Sequence, residues 1–252
     1  MLDYQVNKLI YIFVMLYFIS CESNYNYKTH EKKTIIQPLL LKQTIKPHDS
    51  CELEKKYVSK HLVNITSLDS SIRVALHYST SQNFLNKPLY NGLTDCYLPC
   101  EVAIKLCNAQ YELHNKFPNY HLIVFDAVRP LHIQKQMWDE LQMPAKEKIN
   151  YLAHPSDISL HNYGAAVDIG IIGDNDVLLD MGTPFDFFGE LSEPKREKQL
   201  LENGQLSKEA LTNRLLLRSV MVNSGFTPIT SEWWHFNATN KATAAINYIL
   251  IE

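Results

Sequence analysis

Two short stretches far apart in this 252-residue chain have to meet in space, and that requirement constrains the fold more than any other feature. The first is SLHNYGAAVD (159–168), with His161 and Asp168 on either side of Gly164; the second is EWWH (232–235). A zinc ion that activates water takes three protein ligands from His, Asp or Glu and keeps its fourth position open. His161, Asp168 and His235 are a sufficient set. Glu232, three residues before His235, is close enough to take a proton from the attacking water without occupying the metal, which makes it the expected general base.

Spacing dictates the local conformations. His161 and Asp168 are seven apart, an odd separation that puts them on opposite faces of a continuous strand. A turn must therefore intervene, and Gly164 allows it. The run AAVDIGII (165–172) is small, β-branched and apolar, so Asp168 is expected on a buried strand with its carboxylate turned to the site. Glu232 and His235 share a face over one helical turn but diverge on an ideal strand, so EWWH must be helical or locally bent.

Taken singly, these residues say little. The chain has 10 histidines, and most histidines bind no metal. Asp168 alone reads equally as a turn or ion-pair residue. Together they read differently, because an Asp within an apolar strand is costly to bury without a cation or hydrogen bonds. Of Trp233 and Trp234, at least one is expected in the core. HLIVFDAV (121–128) reads as a buried strand, and Arg129 just past its end is held by Pro130. There a permanent cation either faces a developing oxyanion or pairs with Asp126 or a surface carboxylate.

The pattern S-x-H-x-x-G-x-A-x-D joined to a distant E-x-W-H resembles the D-alanyl-D-alanine dipeptidases, zinc enzymes known from vancomycin resistance. LHYSTSQNF (76–84), VFDAVRP (124–130), MGTPFDFF (181–188) and LRSVMVNSGF (217–226) resemble segments of that family in the same order, so the likeness runs from about Tyr57 to about Phe236. The resemblance implies one zinc per chain, bound by His161, Asp168 and His235. It makes Glu232 the acid/base and Arg129 the stabiliser of transition-state charge. Asp186 would hold the free amino terminus of D-Ala-D-Ala, and Tyr78 and Ser159 would touch the substrate. It also implies the fold shared by D,D-peptidases and hedgehog domains. The chain departs from the family at Val128, where an aromatic is common, at Asn86, where glycine is usual, and at Leu160, where a second small polar residue is usual.

Periodicity and capping signals predict helices over 99–116, 131–142 and 207–224, the last ending at Gly225, and strands over 121–127 and 165–172. Helices interrupt the strands irregularly and no Gly-rich phosphate loop is present. The expected class is therefore α+β, an antiparallel sheet with flanking helices.

Residues 1–21 have their own character. LIYIFVMLYFIS is uncharged, too short for a comfortable membrane span, and closed by Cys21 in FISC, which resembles a lipobox. Cys21 is thus the expected lipid-anchor site, placing the mature protein in a bacterial envelope outside the cytoplasm; an ordinary secretory signal is the alternative. Residues 22–50, rich in Lys, Thr, Asn and Gln, read as a polar tether, and 51–252 as one catalytic domain. Cys51, Cys96, Cys100 and Cys107 allow up to two disulfides or none, and no pairing follows from spacing. A net charge of -3 with scattered basic residues argues against nucleic acid, and EPKREK (193–198) reads as a solvated helix face. Two other readings stand beside the dipeptidase: a carboxypeptidase or endopeptidase of the same fold, and a non-catalytic wall-binding lipoprotein. Asp186 argues against the first and Glu232 against the second.

Overall fold

A computed structural model describes residues 52–149 and 151–252. The expectations for residues 1–21, for the tether and for Cys51 lie outside the described residues.

The core of the fold is a five-stranded sheet in the order β2 (Arg73–Val74), β4 (His121–Asp126), β5 (Ala166–Ile172), β7 (His235–Asn237), β6 (Thr227–Pro228). The β4–β5, β5–β7 and β7–β6 pairs are antiparallel, whereas the edge strand β2 runs parallel to β4. A separate two-stranded antiparallel ladder joins β1 (Val63–Asn64) to β3 (Tyr97–Leu98). Strand β5 is central and buried on both faces, which its near-continuous apolar run anticipates. Val167, Ile169 and Ile171 share one of its faces; Asp168 and Gly170 share the other. Gly170 is required by packing, because a Cβ there would lie 2.7 Å from the Phe125 ring.

Two long helices back the sheet. Helix α3 (Cys100–Lys116) buries Val102, Ala103, Leu106, Ala109, Gln110 and Leu113, the spacing of one helical stripe. It packs against β4 and against α7 (Lys208–Asn223). Ser207 caps α7 by accepting from Ala210 N at 2.9 Å, and the chain leaves the helix through Gly225 at φ +88°. Shorter helices complete the domain: α1 (Glu52–Ser59), α2 (Ile65–Leu68), α4 (Leu131–Glu140), α5 (Ala145–Lys148), α6 (Glu197–Glu202) and α8 (Lys241–Asn247). The described residues fall in one compact unit, and no helix among them is long and apolar enough to cross a membrane. Cys96, Cys100 and Cys107 are free, Cys96 and Cys107 being buried.

One expectation is corrected. EPKREK is not a solvated helix face: Pro194–Arg196 form a 3-10 turn, and Glu197 is buried where α6 begins. Its carboxylate accepts from Arg218 Nη2 at 2.6 Å and lies 3.7 Å from Arg214 Nη1. Both cations come from α7, a tertiary pairing that local charge alternation does not reveal.

Candidate active site

Cross-strand register builds the metal end of the site. Asp126 on β4 faces Asp168 on β5, and Asp168 faces His235 on β7, so three polar side chains form one row across the sheet. A bulge between Val124 and Asp126 brings Asp126 into that row. The EWWH segment reaches it by a bend through Ser231–Trp234, not by a helix, and His235 opens β7. Both Trp233 and Trp234 are core residues.

His161 arrives from a 3-10 turn, Leu160–Tyr163, that leads into β5. Ser159 caps the turn: its hydroxyl accepts from His161 N at 3.3 Å, while Ser159 N donates to Asn162 Oδ1 at 2.7 Å. The turn ends at Gly164, φ +64°, where an added Cβ would stand 2.8 Å from Pro99 and Val128. The turn demanded by the odd spacing of His161 and Asp168 is therefore present, at the predicted glycine.

The three ligand candidates converge. His161 Nε2 to His235 Nδ1 is 3.1 Å, His235 Nδ1 to Asp168 Oδ1 is 3.1 Å, and His161 Nε2 to Asp168 Oδ1 is 3.4 Å. Three donors about 2.0 to 2.1 Å from one tetrahedral ion stand about 3.3 Å apart. The protons fit as well. His161 Nδ1 lies 2.7 Å from Ala127 O, which can only accept, so Nδ1 carries the proton and Nε2 offers a lone pair. His235 Nε2 lies 2.8 Å from Asn237 Oδ1, leaving the lone pair on Nδ1. Two lone pairs and a carboxylate oxygen thus face one another, an arrangement that a cation resolves. Among the described residues these three are the group of His, Cys, Asp or Glu with metal-ligand proximity.

Around this end lie the other expected residues. Glu232 Oε2 is 3.9 Å from His235 Nδ1. Burial pushes its carboxyl up to about 7 against the opposing pull of His235. Arg129 is buried and takes the ion-pair reading of its position: Nε and Nη2 donate to Asp126 Oδ2 at 2.9 and 2.6 Å, and Nη2 lies 3.6 Å from Asp168 Oδ2. Burial works against its charge and Asp126 outweighs that, keeping the guanidinium firmly protonated. Tyr90 donates to the other Asp126 oxygen at 2.5 Å, so this buried carboxylate is fully paired.

Asp186 lines the same site from the loop 181–189, with φ +60°, a left-handed conformation that Asp tolerates better than most residues. Tyr78 donates to Asp186 Oδ2 at 2.7 Å, and the Arg129 guanidinium lies 5.2 Å above the Tyr78 ring. Burial is the main cause pushing the Asp186 carboxyl up to about 7, partly offset by the Tyr78 hydrogen bond. Tyr78, Arg129, Ser159, His161, Asp168, Asp186, Glu232 and His235 all line one cavity of about 270 Å³, walled by Phe84, Tyr151, Phe188 and Trp234. That is below the roughly 300–1,000 Å³ of pockets for drug-sized ligands, so the occupant is small.

The departures noted in the sequence have physical readings. Asn86 adopts φ +54°, the conformation that makes glycine usual there and that Asn supports. Leu160 packs with Tyr163 and Ala244 behind the turn, and Val128 is buried against Gly164. The sequence reading missed Asn237 and Tyr90. Asn237 was findable, since it stands two residues after His235 on a strand and so on the same face. Tyr90 carried no local signal.

Known proteins share this arrangement of segments. Residues 58–249 match the family described as D-ala-D-ala dipeptidase. A D-alanyl-D-alanine dipeptidase of Escherichia coli (strain K12) is 28% identical over 182 residues, 72% of this chain and 86% of the relative. One from Enterococcus faecium is 28% identical over 195 residues, 69% of this chain and 91% of the relative. One from Synechocystis sp. is 28% identical over 187 residues, 62% of this chain and 74% of the relative. With a family match spanning most of its length and the expected residues gathered in one cavity, the chain belongs to the D-ala-D-ala dipeptidase family.

Proposed function

We propose that this protein hydrolyses free D-Ala-D-Ala to two D-alanine molecules, with one zinc held by His161, Asp168 and His235. The observation that carries the reading is one small cavity lined both by a three-donor cation site and by the buried Asp186 carboxylate. Zinc bound there supplies Lewis acidity toward the scissile carbonyl and a lowered pKa for the attacking water. Glu232 removes the proton from that water and hands it to the leaving amine. Arg129, fixed by Asp126, turns its remaining donors to the oxygen that becomes negative. Asp186, held by Tyr78, pairs with the substrate ammonium, and Ser159 lines the wall between. A carboxylate that captures a free amine disfavours chains extended at that end, which separates this reading from a carboxypeptidase or endopeptidase of the same fold.

The leader ending at Cys21 adds a location to the proposal: the bacterial envelope, anchored by lipid, where the substrate is dipeptide released by wall turnover and the role is salvage. Cys21→Ser then moves the protein out of the detergent phase. The activity itself is tested with protein lacking residues 1–21, given D-Ala-D-Ala, L-Ala-L-Ala, N-acetyl-D-Ala-D-Ala and a D-Ala-D-Ala-terminated pentapeptide, with zinc or with chelator. Zinc-dependent cleavage confined to free D-Ala-D-Ala is expected. Equal turnover of the acetylated dipeptide or the pentapeptide removes the dipeptidase reading.

A further inference from the structure

The largest fully buried side chain among the described residues is Arg214, a cation that lies outside the lining of the cavity and that no step above uses. Burying a guanidinium is costly unless its charge and donors are all met. Here one segment meets the charge and the donors on Nε and Nη2, while Nη1 has a countercharge but no hydrogen-bond partner. Nε donates to Met181 O at 2.7 Å and Nη2 donates to Leu191 O at 2.8 Å, while Glu197, 3.7 Å from Nη1, supplies the countercharge. Met181 and Leu191 flank Asp186 symmetrically, five residues before it and five after. Between Met181 and Gly189 the chain belongs to no helix or strand, so no ladder of backbone hydrogen bonds fixes the apex. One planar fork instead ties both ends of the loop to α7.

Neighbouring contacts are consistent with a fixed clamp. Gly182, at φ +78°, lies so close to the start of α7 that a Cβ would be 2.4 Å from Leu206, just before the helix, and 3.4 and 3.5 Å from Ala210 and Arg214 Nη2 within it. Asn213 Nδ2 donates to Asp180 O at 2.8 Å, one residue before the loop. Trp233 Nε1 donates to Thr183 Oγ1 at 2.8 Å and Ser192 Oγ lies 3.4 Å from Ser231 O, which join the loop to the segment carrying Glu232. Lysine offers no equivalent, because a point charge lacks the rigid two-pronged geometry.

We propose that Arg214 is a positioning residue for substrate recognition: by holding the Met181 and Leu191 carbonyls on one guanidinium it sets the distance between the Asp186 carboxylate and the metal end of the cavity. The inference rests on the reading of Asp186 as the amine-binding group.

The test compares full-length, zinc-loaded wild type with Arg214→Lys, Arg214→Met, Glu197→Gln and Asp186→Ala, measuring kcat and KM for D-Ala-D-Ala, zinc content, and selectivity over N-acetyl-D-Ala-D-Ala. Displacing a group that orients substrate costs roughly up to 100-fold, so Arg214→Met is expected to raise KM by about 10- to 100-fold with zinc content unchanged. Arg214→Lys and Glu197→Gln are expected to give smaller increases, and selectivity against the blocked amine falls in step. A merely structural role lowers the folded fraction, which reduces apparent kcat and leaves KM and selectivity alone. If Arg214→Met does not fold, the Lys and Gln variants carry the same readouts. Unchanged KM in the Arg214 and Glu197 variants, with KM raised in Asp186→Ala, overturns the positioning role alone. Unchanged KM in Asp186→Ala overturns the amine-binding reading, and this inference with it.

Discussion

The metal end and the Asp186 side of the cavity are built by different means. At the metal end, Asp168 and His235 stand opposite each other on neighbouring strands, so backbone register sets their separation and every adjacent ladder bond defends it. On the Asp186 side, the carboxylate rides on an irregular loop in a left-handed conformation; Tyr78 bonds it directly, while Arg214 and Trp233 bond the loop at Met181 and Thr183. On the proposed function, chemistry sits on the part set by strand register and discrimination on the part held by a few replaceable contacts. Substitutions of the metal-ligand candidates themselves are expected to act all-or-none, and those around Asp186 to act by degree.

The comparison is broken most severely by removing a ligand. His161→Ala or His235→Ala leaves two of the three donors that stand at ligand distance from one another, so both are expected to lose stoichiometric zinc and measurable turnover. Metal analysis after dialysis checks this, and full occupancy in both variants removes the ligand assignment. Next comes Glu232→Gln, which keeps shape and metal but cannot accept a proton. A loss of roughly 100- to 10,000-fold in kcat is expected at full zinc occupancy. Near-normal turnover there points to a different base.

The Asp186 side yields a graded loss. Breaking a desolvated charge pair costs about 3 to 5 kcal/mol, so Asp186→Ala is expected to lower kcat/KM for the dipeptide by about two orders of magnitude or more. Steady-state kinetics with the free and acetylated dipeptides measures it; the gap between those substrates must narrow in the variant. The smallest effect sharpens the contrast within the metal end. Asn237→Ala removes the partner of His235 Nε2 while leaving all three ligands, and zinc affinity is expected to fall roughly 10- to 100-fold. Competition with a chromophoric chelator reads that change directly, and an unaltered affinity shows that strand register alone orients His235.

Much of this arrangement was legible in the sequence where a local rule applies. The odd spacing of His161 and Asp168 demanded a turn, and Gly164 makes it. The apolar run around Asp168 became β5, and the helices expected over 99–116, 131–142 and 207–224 are Cys100–Lys116, Leu131–Glu140 and Lys208–Asn223. What stayed hidden is tertiary. Strands such as Arg73–Val74 and Thr227–Pro228 are too short for a period to register, so the parallel edge could not be foreseen. Tyr90 finds Asp126 across 36 positions, and Arg214 finds Met181 across 33. Glu197 looked like one more surface charge because its partners, Arg214 and Arg218, lie in a helix not yet begun.

The buried thiols have a consequence for manufacture of the protein by the cell. Cys96 and Cys107 are unpaired, and burial drives both thiols upward, that of Cys107 to about 12, so neither is held as the thiolate that oxidants attack. Neither thiol contributes a covalent staple, and neither is a ready substrate for disulfide exchange. Cys96 and Cys107 therefore place no demand on an oxidase, an isomerase or the local glutathione balance, and both are expected to stay reduced under reducing and mildly oxidising conditions alike.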